Sequence, residues 1–138
     1  MEGFTFVADV QVRWRDLDAN GHVNNAAIVT FLETARTELW RQSFGGDTTI
    51  PFVVGHLDVE YRRPITLNDR VLVGLAVSEL RGASYTFRYR VEASGHLAAE
   101  ASTLMVHVGQ AGRPTRLPAA TRRRLEALVP SPGARLSG

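Results

Sequence analysis

Apolar and polar residues alternate in several stretches of the chain, and each alternation predicts a β-strand with one buried face. In residues 4–15 every even-numbered position from Phe4 to Trp14 is apolar, and Val7 is the one apolar exception on the opposite face. Residues 97–108 alternate less strictly, which predicts a more central strand. The remaining strands are predicted at residues 53–62, 71–77 and 84–92.

After the first predicted strand, the period changes to that of an α-helix over residues 26–42. Asn24 or Asn25 is a suitable N-cap, and the glycine pair at 45–46 is a suitable stop. The first half of this helix is apolar nearly all round, so we expect neighbours on several sides. A short basic helix is predicted over residues 119–128. The apolar positions of the long helix are Ile28, Phe31, Leu32, Ala35 and Leu39.

This order of elements, β-α-β-β-β-β with a small terminal helix, indicates the α+β class. One apolar helix and five antiparallel strands must share a core, and a curved sheet wrapped around the helix buries them together. Short joins at residues 81–82 and 94–95 suit antiparallel hairpins. We predict one domain over residues 1–129 and a flexible tail at 130–138.

The amino-acid composition excludes several kinds of catalytic and binding site. The chain has 138 residues and no cysteine, which excludes disulfides, thiolate metal sites and cysteine nucleophiles. All 16 basic residues are arginine, so lysine Schiff bases and a P-loop lysine are excluded. A net charge of +2 is too small to predict nucleic-acid binding. Because no secretory signal and no apolar run of roughly 20 residues is visible, we expect a cytoplasmic protein with no membrane partner.

The residues required for metal binding, for several common catalytic motifs and for nucleic-acid binding are missing from the sequence. The histidines at positions 22, 56, 96 and 107 do not have the spacing of metal ligands, so we predict no metal site. The serine-hydrolase, dinucleotide and nucleoside-triphosphate motifs are absent from the sequence. The arginine run at 122–124 has no interleaved aromatic residue, and we interpret it as a solvated helix face.

Residues 16–25 carry the densest polar chemistry, with two carboxylates, three amides and one histidine before the apolar helix. A helix start offers free N–H groups and partial positive charge, which stabilise a developing oxyanion. A nearby carboxylate such as Asp18 can then activate water or attack directly. The alternatives are structural: Asp18 could only form the turn, Asn24 and Asn25 could only cap the helix, and His22 could be a packed core residue. Asp16 is assigned a structural hydrogen bond in the loop.

The same stretch resembles a known signature. Asp-x-Asp-x-x-Gly-His-Val-Asn-Asn at 16–25, followed by Phe-Leu-Glu-x-Ala-Arg at 31–36, is similar to the motif of hot-dog-fold acyl-CoA thioesterases. It is most similar to the 4-hydroxybenzoyl-CoA thioesterase group and its acyl-carrier-protein relatives. The resemblance includes Tyr-Arg-Arg-Pro at 61–64 and extends over about residues 5–110. It implies the hot-dog fold, a five-stranded antiparallel sheet wrapped around one long central helix, which agrees with the predicted elements.

The resemblance also implies a function and its residues. The implied reaction is hydrolysis of an acyl-CoA or acyl-carrier-protein thioester to a free acid and a thiol. Asp18 would act as general base or nucleophile, an N–H group near Asn25 would polarise the carbonyl, and His22 and Asn24 would support that geometry. No metal or redox cofactor is expected, because thioester hydrolysis needs only a nucleophile and oxyanion stabilisation. CoA or phosphopantetheine is part of the substrate. The site would lie between the subunits of a homodimer, alone or within a tetramer of dimers.

The family's phosphate-binding segment is only partly present. It often has a basic cluster before a serine at the hairpin between the third and fourth strands, and Arg81 here fills only one of those basic positions before Ser84. We expect Arg81 and Ser84 to contact CoA together with Arg62 and Arg63. Either Arg62, Arg63 or Arg116 compensates for the missing charges, or the carrier of the acyl group is not free CoA.

Two other functions and one other carboxylate stay open at this point. A hot-dog enoyl-CoA hydratase or dehydratase places its histidine five residues after the aspartate, whereas His22 follows Asp18 by four. A non-catalytic acyl-CoA-binding module is disfavoured because Asp18 and the helix-start amides are intact. Glu33, on the predicted helix, is interpreted as a buried partner of Arg36 or a neighbour.

Overall fold

Five antiparallel strands form one sheet in the computed structural model, which describes residues 1–44 and 51–131. The strand order across the sheet is β1-β3-β4-β5-β2, so β1 and β2 are its two edges. The predicted α+β architecture, with five strands, one long helix and a short C-terminal helix, is confirmed. The strands are β1 (Phe6–Val10), β2 (Phe52–Tyr61), β3 (Val71–Leu80), β4 (Ser84–Ala93) and β5 (His96–His107). The helices are α1 (Asn25–Ser43) and α2 (Ala119–Glu126).

One face of α1 packs against the inner face of the sheet and forms the core. The predicted apolar stripe of α1 is buried, and alternate residues of β3 and β4 are buried opposite it. Tyr89 of β4 is fully buried, so its hydroxyl needs partners. It lies 2.7 Å from Thr103 Oγ1 and accepts a hydrogen bond from Arg36 Nη1 at 3.2 Å. Burial raises the pKa of Tyr89, which therefore stays protonated at neutral pH.

The first strand is shorter than the sequence predicts. It ends at Val10 instead of continuing to residue 15, and Trp14 is 79% exposed instead of lying on the buried face. Asp16 causes the change, because its carboxylate accepts the Arg13 N–H at 2.8 Å and closes a short 3₁₀ turn. Asp16 itself is buried, which agrees with its predicted structural role.

The expected burial of β2 is wrong for a single chain. The alternation predicts Val53, Leu57 and Tyr61 on a buried face, yet each is 39–50% exposed. The physical reason is position, since β2 is an edge strand hydrogen-bonded only to β5 among the described strands. The solvent-facing side of α1 is likewise open at Thr30 and Thr34, so the helix is not covered on several sides.

The two predicted hairpins are present. In the turn between β4 and β5, Ser94 and Gly95 both have positive φ, as the common two-residue hairpin turn requires. The predicted helix stop at 45–46 lies outside the described residues, as does most of the predicted flexible tail. Across the described ranges, no helix is both long and apolar enough to cross a bilayer.

Candidate active site

The polar stretch before α1 folds into a tight loop fixed by its own backbone. The Asp18 N–H donates to the His22 carbonyl at 2.7 Å, and the Gly21 N–H donates to the Asp18 carbonyl at 3.1 Å. Gly21 has a φ of +76°, which glycine adopts without steric cost. The Asn24 N–H donates to the Asp16 carbonyl at 2.7 Å and ties the end of the loop to its beginning. These bonds place Asp18 at a fixed point beside the helix start.

Only one carboxylate oxygen of Asp18 is hydrogen-bonded to the loop. Its Oδ1 accepts the N–H groups of Asn20 at 2.9 Å and His22 at 3.2 Å. Its Oδ2 accepts no hydrogen bond from any residue in the described ranges. The side chain is exposed, as is His22. The turn-forming role and the chemical role therefore fall on different oxygens and do not exclude each other.

The start of α1 contains one capped amide and one unused amide. Asn24 is the N-cap, and its Oδ1 accepts the Ala26 N–H at 2.8 Å. The Ala27 N–H donates to the Asn24 carbonyl at 2.9 Å. The Asn25 N–H, the first of the helix, donates to nothing within residues 1–44 and 51–131. That amide lies where the helix dipole is most positive, so it is available to an oxygen that acquires negative charge.

A cleft of about 290 Å³ brings most of the predicted site residues together. One wall is the loop and helix start, and the other is the end of β2 with the segment that follows it. The Val23 N–H donates to the Ile65 carbonyl at 2.7 Å and joins the two walls. The lining residues are Asp18, His22, Val23, Asn25, Ile28, Tyr61, Arg62, Arg63, Pro64 and Ile65.

Tyr61 belongs to this cleft, although its spacing in the sequence indicates only a buried strand position. Its hydroxyl donates to the Asn25 carbonyl at 3.2 Å and braces the first residue of α1. The signal that could have found it is the Tyr-Arg-Arg-Pro motif, which puts an aromatic hydroxyl next to two cations at a strand end. Its 44% exposure shows that the ring also forms part of the open β2 edge.

The second wall is held by the turn at residues 66–69. Asp69 Oδ2 accepts the Thr66 N–H at 2.8 Å, and Asp69 Oδ1 accepts the Ser94 hydroxyl at 2.8 Å. The backbone hydrogen bond from Thr66 is the main cause that lowers the pKa of Asp69. Thr66 in turn pairs with His22 through an isolated β-bridge. The turn thus supports the loop that carries Asp18.

The four predicted CoA-binding residues separate into two places. Arg62 and Arg63 line the cleft, but Arg62 is held by Glu60 at 2.7 Å and Glu100 at 3.2 Å. Arg81 and Ser84 lie at the opposite end of the sheet. Ser84 is opposite Val106 on β5 and Tyr61 is opposite Ala99, roughly 23 Å apart along that strand at 3.3 Å per residue. One chain therefore does not bring all four to the same space.

A second cavity of about 260 Å³ lies between the C-terminal half of α1 and the sheet, near the first residues of β2. Its wall is largely apolar and includes five aromatic side chains. Burial raises the pKa of one of them, Tyr85, which therefore stays protonated at neutral pH. Glu33 is not the buried partner of Arg36 that the sequence predicts. Glu33 is exposed at this cavity, while Arg36 bonds to Tyr89. The aromatic residues lining this apolar cavity are Trp40, Phe44, Phe52, Tyr85 and Phe87.

The described ranges contain no group of three or more His, Asp and Glu side chains arranged to hold a metal ion. The cleft itself offers a carboxylate with a free oxygen, a helix-start amide without a described partner, an exposed histidine and nearby guanidinium groups. Such a set can deprotonate water and stabilise an oxyanion.

Comparison with known proteins places these features in a family. The sequence profile of the thioesterase-like superfamily matches residues 12–125. The acyl-CoA thioester hydrolase YbgC of Escherichia coli is 36% identical over 105 residues, covering 72% of this chain and 78% of that protein. The long-chain acyl-CoA thioesterase FadM of E. coli is 35% identical over 82 residues, covering 54% of this chain and 60% of FadM.

Solved structures agree. A thioesterase from Thermus thermophilus, crystallised in complex with coenzyme A and zinc, superposes with a TM-score of 0.83 at 40% identity. The match covers 93% of this chain and 97% of the Thermus chain. The predicted hot-dog fold is thereby confirmed, and so is the predicted class of thioester hydrolase. The chain that carries this loop, helix start and cleft belongs to the thioesterase-like superfamily.

Proposed function

We propose that the protein hydrolyses acyl-CoA thioesters and that Asp18 is the general base. A water molecule beside the free Oδ2 of Asp18 attacks the thioester carbonyl and transfers its proton to that carboxylate. The carbonyl oxygen becomes an oxyanion that accepts the Asn25 N–H. Collapse of the tetrahedral intermediate breaks the C–S bond, and the proton from Asp18 goes to the departing thiolate. The products are a carboxylic acid and a thiol.

One observation supports this proposal most strongly. The carboxylate with a free oxygen and the first amide of α1 belong to residues that line the same cleft. A base and an oxyanion donor act on one carbonyl only when both can reach it. In the proposal, His22 and Asn24 act by holding the loop and the helix start in position. In the alternative, Asp18 attacks the carbonyl, expels the thiolate and forms an acyl-Asp18 anhydride that water hydrolyses. If water attacks the Asp18 carbon of that anhydride, a single turnover in ¹⁸O-water leaves label in the Asp18 carboxylate, which general-base catalysis never does.

We further propose that the working unit is a homodimer, alone or within a tetramer of dimers. β2 is an open edge with exposed apolar residues, a surface that proteins normally cover. Antiparallel pairing of two β2 strands about a two-fold axis, at full overlap, puts Phe52 opposite the partner's Tyr61. The cleft of one subunit then meets the apolar cavity of the other, which would receive the acyl group. The exposed apolar residues of the edge are Val53, Val54, Leu57 and Tyr61.

A hydrolysis screen tests the function. Aryl, short-chain and long-chain acyl-CoAs are incubated with the protein, and thiol release is followed with a disulfide dye. We expect hydrolysis of at least one class, and a fall in kcat of about a hundredfold or more in Asp18→Asn. Asp9→Asn is the matched control, because it neutralises an exposed carboxylate on β1 that is paired with Arg70 and lies outside both the cleft and the apolar cavity. Hydration of an enoyl-CoA without thiol release would instead support the hydratase alternative.

A further inference from the structure

The apolar cavity between α1 and the sheet contains polar groups that the proposed reaction does not use. Tyr85 of β4 is only 3% exposed and lines this cavity. Its hydroxyl forms no hydrogen bond with any residue that the structure describes, although buried hydroxyl groups normally have a partner. This part of the cavity is therefore suited to a ligand that supplies a hydrogen-bond acceptor.

Arg36 adds a positive charge to the same cavity. Its side chain is half-buried, and its Nη1 donates to the Tyr89 hydroxyl at 3.2 Å. No carboxylate within residues 1–44 and 51–131 forms an ion pair with Arg36, and Glu33, which lines the cavity one turn earlier in α1, is exposed. A guanidinium group has five N–H donors, so the bond to Tyr89 leaves most of them available.

The Arg36 guanidinium and the Tyr85 hydroxyl influence each other electrostatically. Burial raises the pKa of Tyr85, and the positive charge of Arg36 opposes part of this rise. Tyr85 stays protonated, so both side chains act as hydrogen-bond donors. Two donors, one of them charged, thus line a cavity whose wall is otherwise largely apolar. A carboxylate is well suited to such a pair, because charged hydrogen bonds are the strong ones.

We propose that this cavity selects acyl groups that end in a carboxylate, and that Arg36 and Tyr85 bind this distal carboxylate. The inference rests on the proposed function. The substrate would be the mono-CoA thioester of a dicarboxylic acid. Hydrolysis adds water and breaks the C–S bond at the thioester end only, so the products are the free dicarboxylic acid and the thiol. Arg36 and Tyr85 thus act on specificity and take no part in bond cleavage.

The proposed dimer places the two donors at a suitable depth. Phe52 and Val54 line the cavity at the open β2 edge, and in the two-fold pairing Phe52 adjoins the partner's Tyr61 and hence the partner's cleft. Val54 and Tyr85 both pair with Met105, so Tyr85 lies two strand spacings in from this edge, roughly 10 Å. An acyl chain must therefore pass several methylene groups over the apolar wall before its end reaches the donors.

The test compares thioesters that differ only at the far end of the acyl group. Hexanedioyl-, octanedioyl- and decanedioyl-CoA are each assayed against the plain acyl-CoA of the same chain length, and the ratio of the two kcat/KM values measures selectivity. We expect a ratio of about ten or more in favour of the dicarboxylic ester at one or more of these lengths, as a hydrogen bond to a charged group can supply. Both esters are assayed on one preparation, so the ratio does not depend on the folded fraction.

Two variants and one control assign this ratio to the cavity. Arg36→Gln should lower it to about one, and Tyr85→Phe, which removes only the hydroxyl, should lower it several-fold. Arg41→Gln is the matched control, because it removes an exposed cation of the same helix that is paired with Glu38 and does not line the cavity. It should keep the wild-type ratio. If Arg36 only supports the fold, Arg36→Gln will lower the hydrolysis of both esters equally, and an unchanged ratio would overturn the proposal.

Binding measurements separate this inference from the proposed function. Ketone analogues of the two esters, in which a CH₂ group separates the carbonyl from the sulfur, cannot be hydrolysed, and calorimetry gives their Kd. Tighter binding of the dicarboxylic analogue in the wild type but not in Arg36→Gln, in a protein that hydrolyses no thioester, would support the selective cavity and refute the hydrolase function. Hydrolysis of plain acyl-CoAs without preference for the dicarboxylic ester at any of the three lengths would leave the proposed function intact and overturn this inference.

Discussion

Replacing Asp18 by asparagine and by alanine separates its structural role from its chemical role. The loop uses only Oδ1, which accepts two N–H groups at 2.9 and 3.2 Å. Asparagine keeps an acceptor oxygen at that position but has no carboxylate to take a proton. Alanine loses both. If each hydrogen bond contributes about 1 kcal/mol net, Asp18→Ala should lose about 1–2 kcal/mol of unfolding free energy, whereas Asp18→Asn should lose little.

The two variants should therefore agree in kcat and differ in stability. Loss of a general base lowers kcat by about 10²–10⁴, and we expect both variants to fall in that range. Thiol release at saturating acyl-CoA measures kcat, and urea unfolding at pH 7 measures stability. A wild-type kcat in Asp18→Asn would refute the assignment of the base. So would a pair of variants whose losses of activity simply follow their losses of stability.

Three further changes test the surroundings of the cleft. Asn24→Ala removes the 2.8 Å hydrogen bond that caps the Ala26 N–H, and the free energy of unfolding in urea should fall by about 1 kcal/mol. We also expect a lower kcat, because the Asn25 amide is displaced. Full activity in this variant would show that the helix start does not contribute to catalysis. Asp69→Asn should cost about 1 kcal/mol at pH 7. The fold lowers the pKa of Asp69, so its carboxylate stabilises the folded state at pH values above the unfolded pKa near 3.8. This contribution is lost as the pH falls through the lower pKa of the folded state. The urea midpoints of the variant and the wild type should therefore converge in acid. Leu57→Asp puts a charge on the open β2 edge, and light scattering should show a shift from dimer toward monomer with loss of activity; a stable, active dimer would exclude β2 as the interface.

Features determined by local chemistry were predictable from the sequence. The α1 stripe, the N-cap at Asn24 and the structural role of Asp16 depend on residues within one or two turns of each other. The site loop was predictable for the same reason, since residues 16–25 form it largely through their own backbone bonds. The strand alternations also identified the inner faces of β3 and β4, where both neighbouring strands are present to complete the burial.

Features that depend on distant partners were not predictable. Alternation cannot show whether a strand lies at an edge, so it predicts for β2 a buried face that the strand lacks in one chain. Trp14 continues an alternation that the Asp16 turn interrupts. The bond between the Tyr61 hydroxyl and the Asn25 carbonyl joins residues 36 positions apart, and nothing local indicates it. The bond from the Arg122 guanidinium to the Arg81 carbonyl likewise joins residues 41 positions apart, and the arginine run on α2 does not indicate it.

The position of Glu33 is relevant to the question of which carboxylate serves as the catalytic base. Glu33 follows Asn25 by eight residues, which is about 12 Å along the helix axis, and it lines the apolar cavity instead of the cleft. The carbonyl that accepts the Asn25 amide therefore lies beyond the reach of Glu33 in the same chain. The proposed two-fold pairing of β2 would bring the partner's Glu33 toward the cleft. The apolar cavity that Glu33 lines is the one proposed to receive the acyl group. Asp18 and Asn25 thus line the same cleft of one chain, whereas Glu33 could approach that carbonyl only from the partner subunit, in the wall of the cavity proposed for the acyl group.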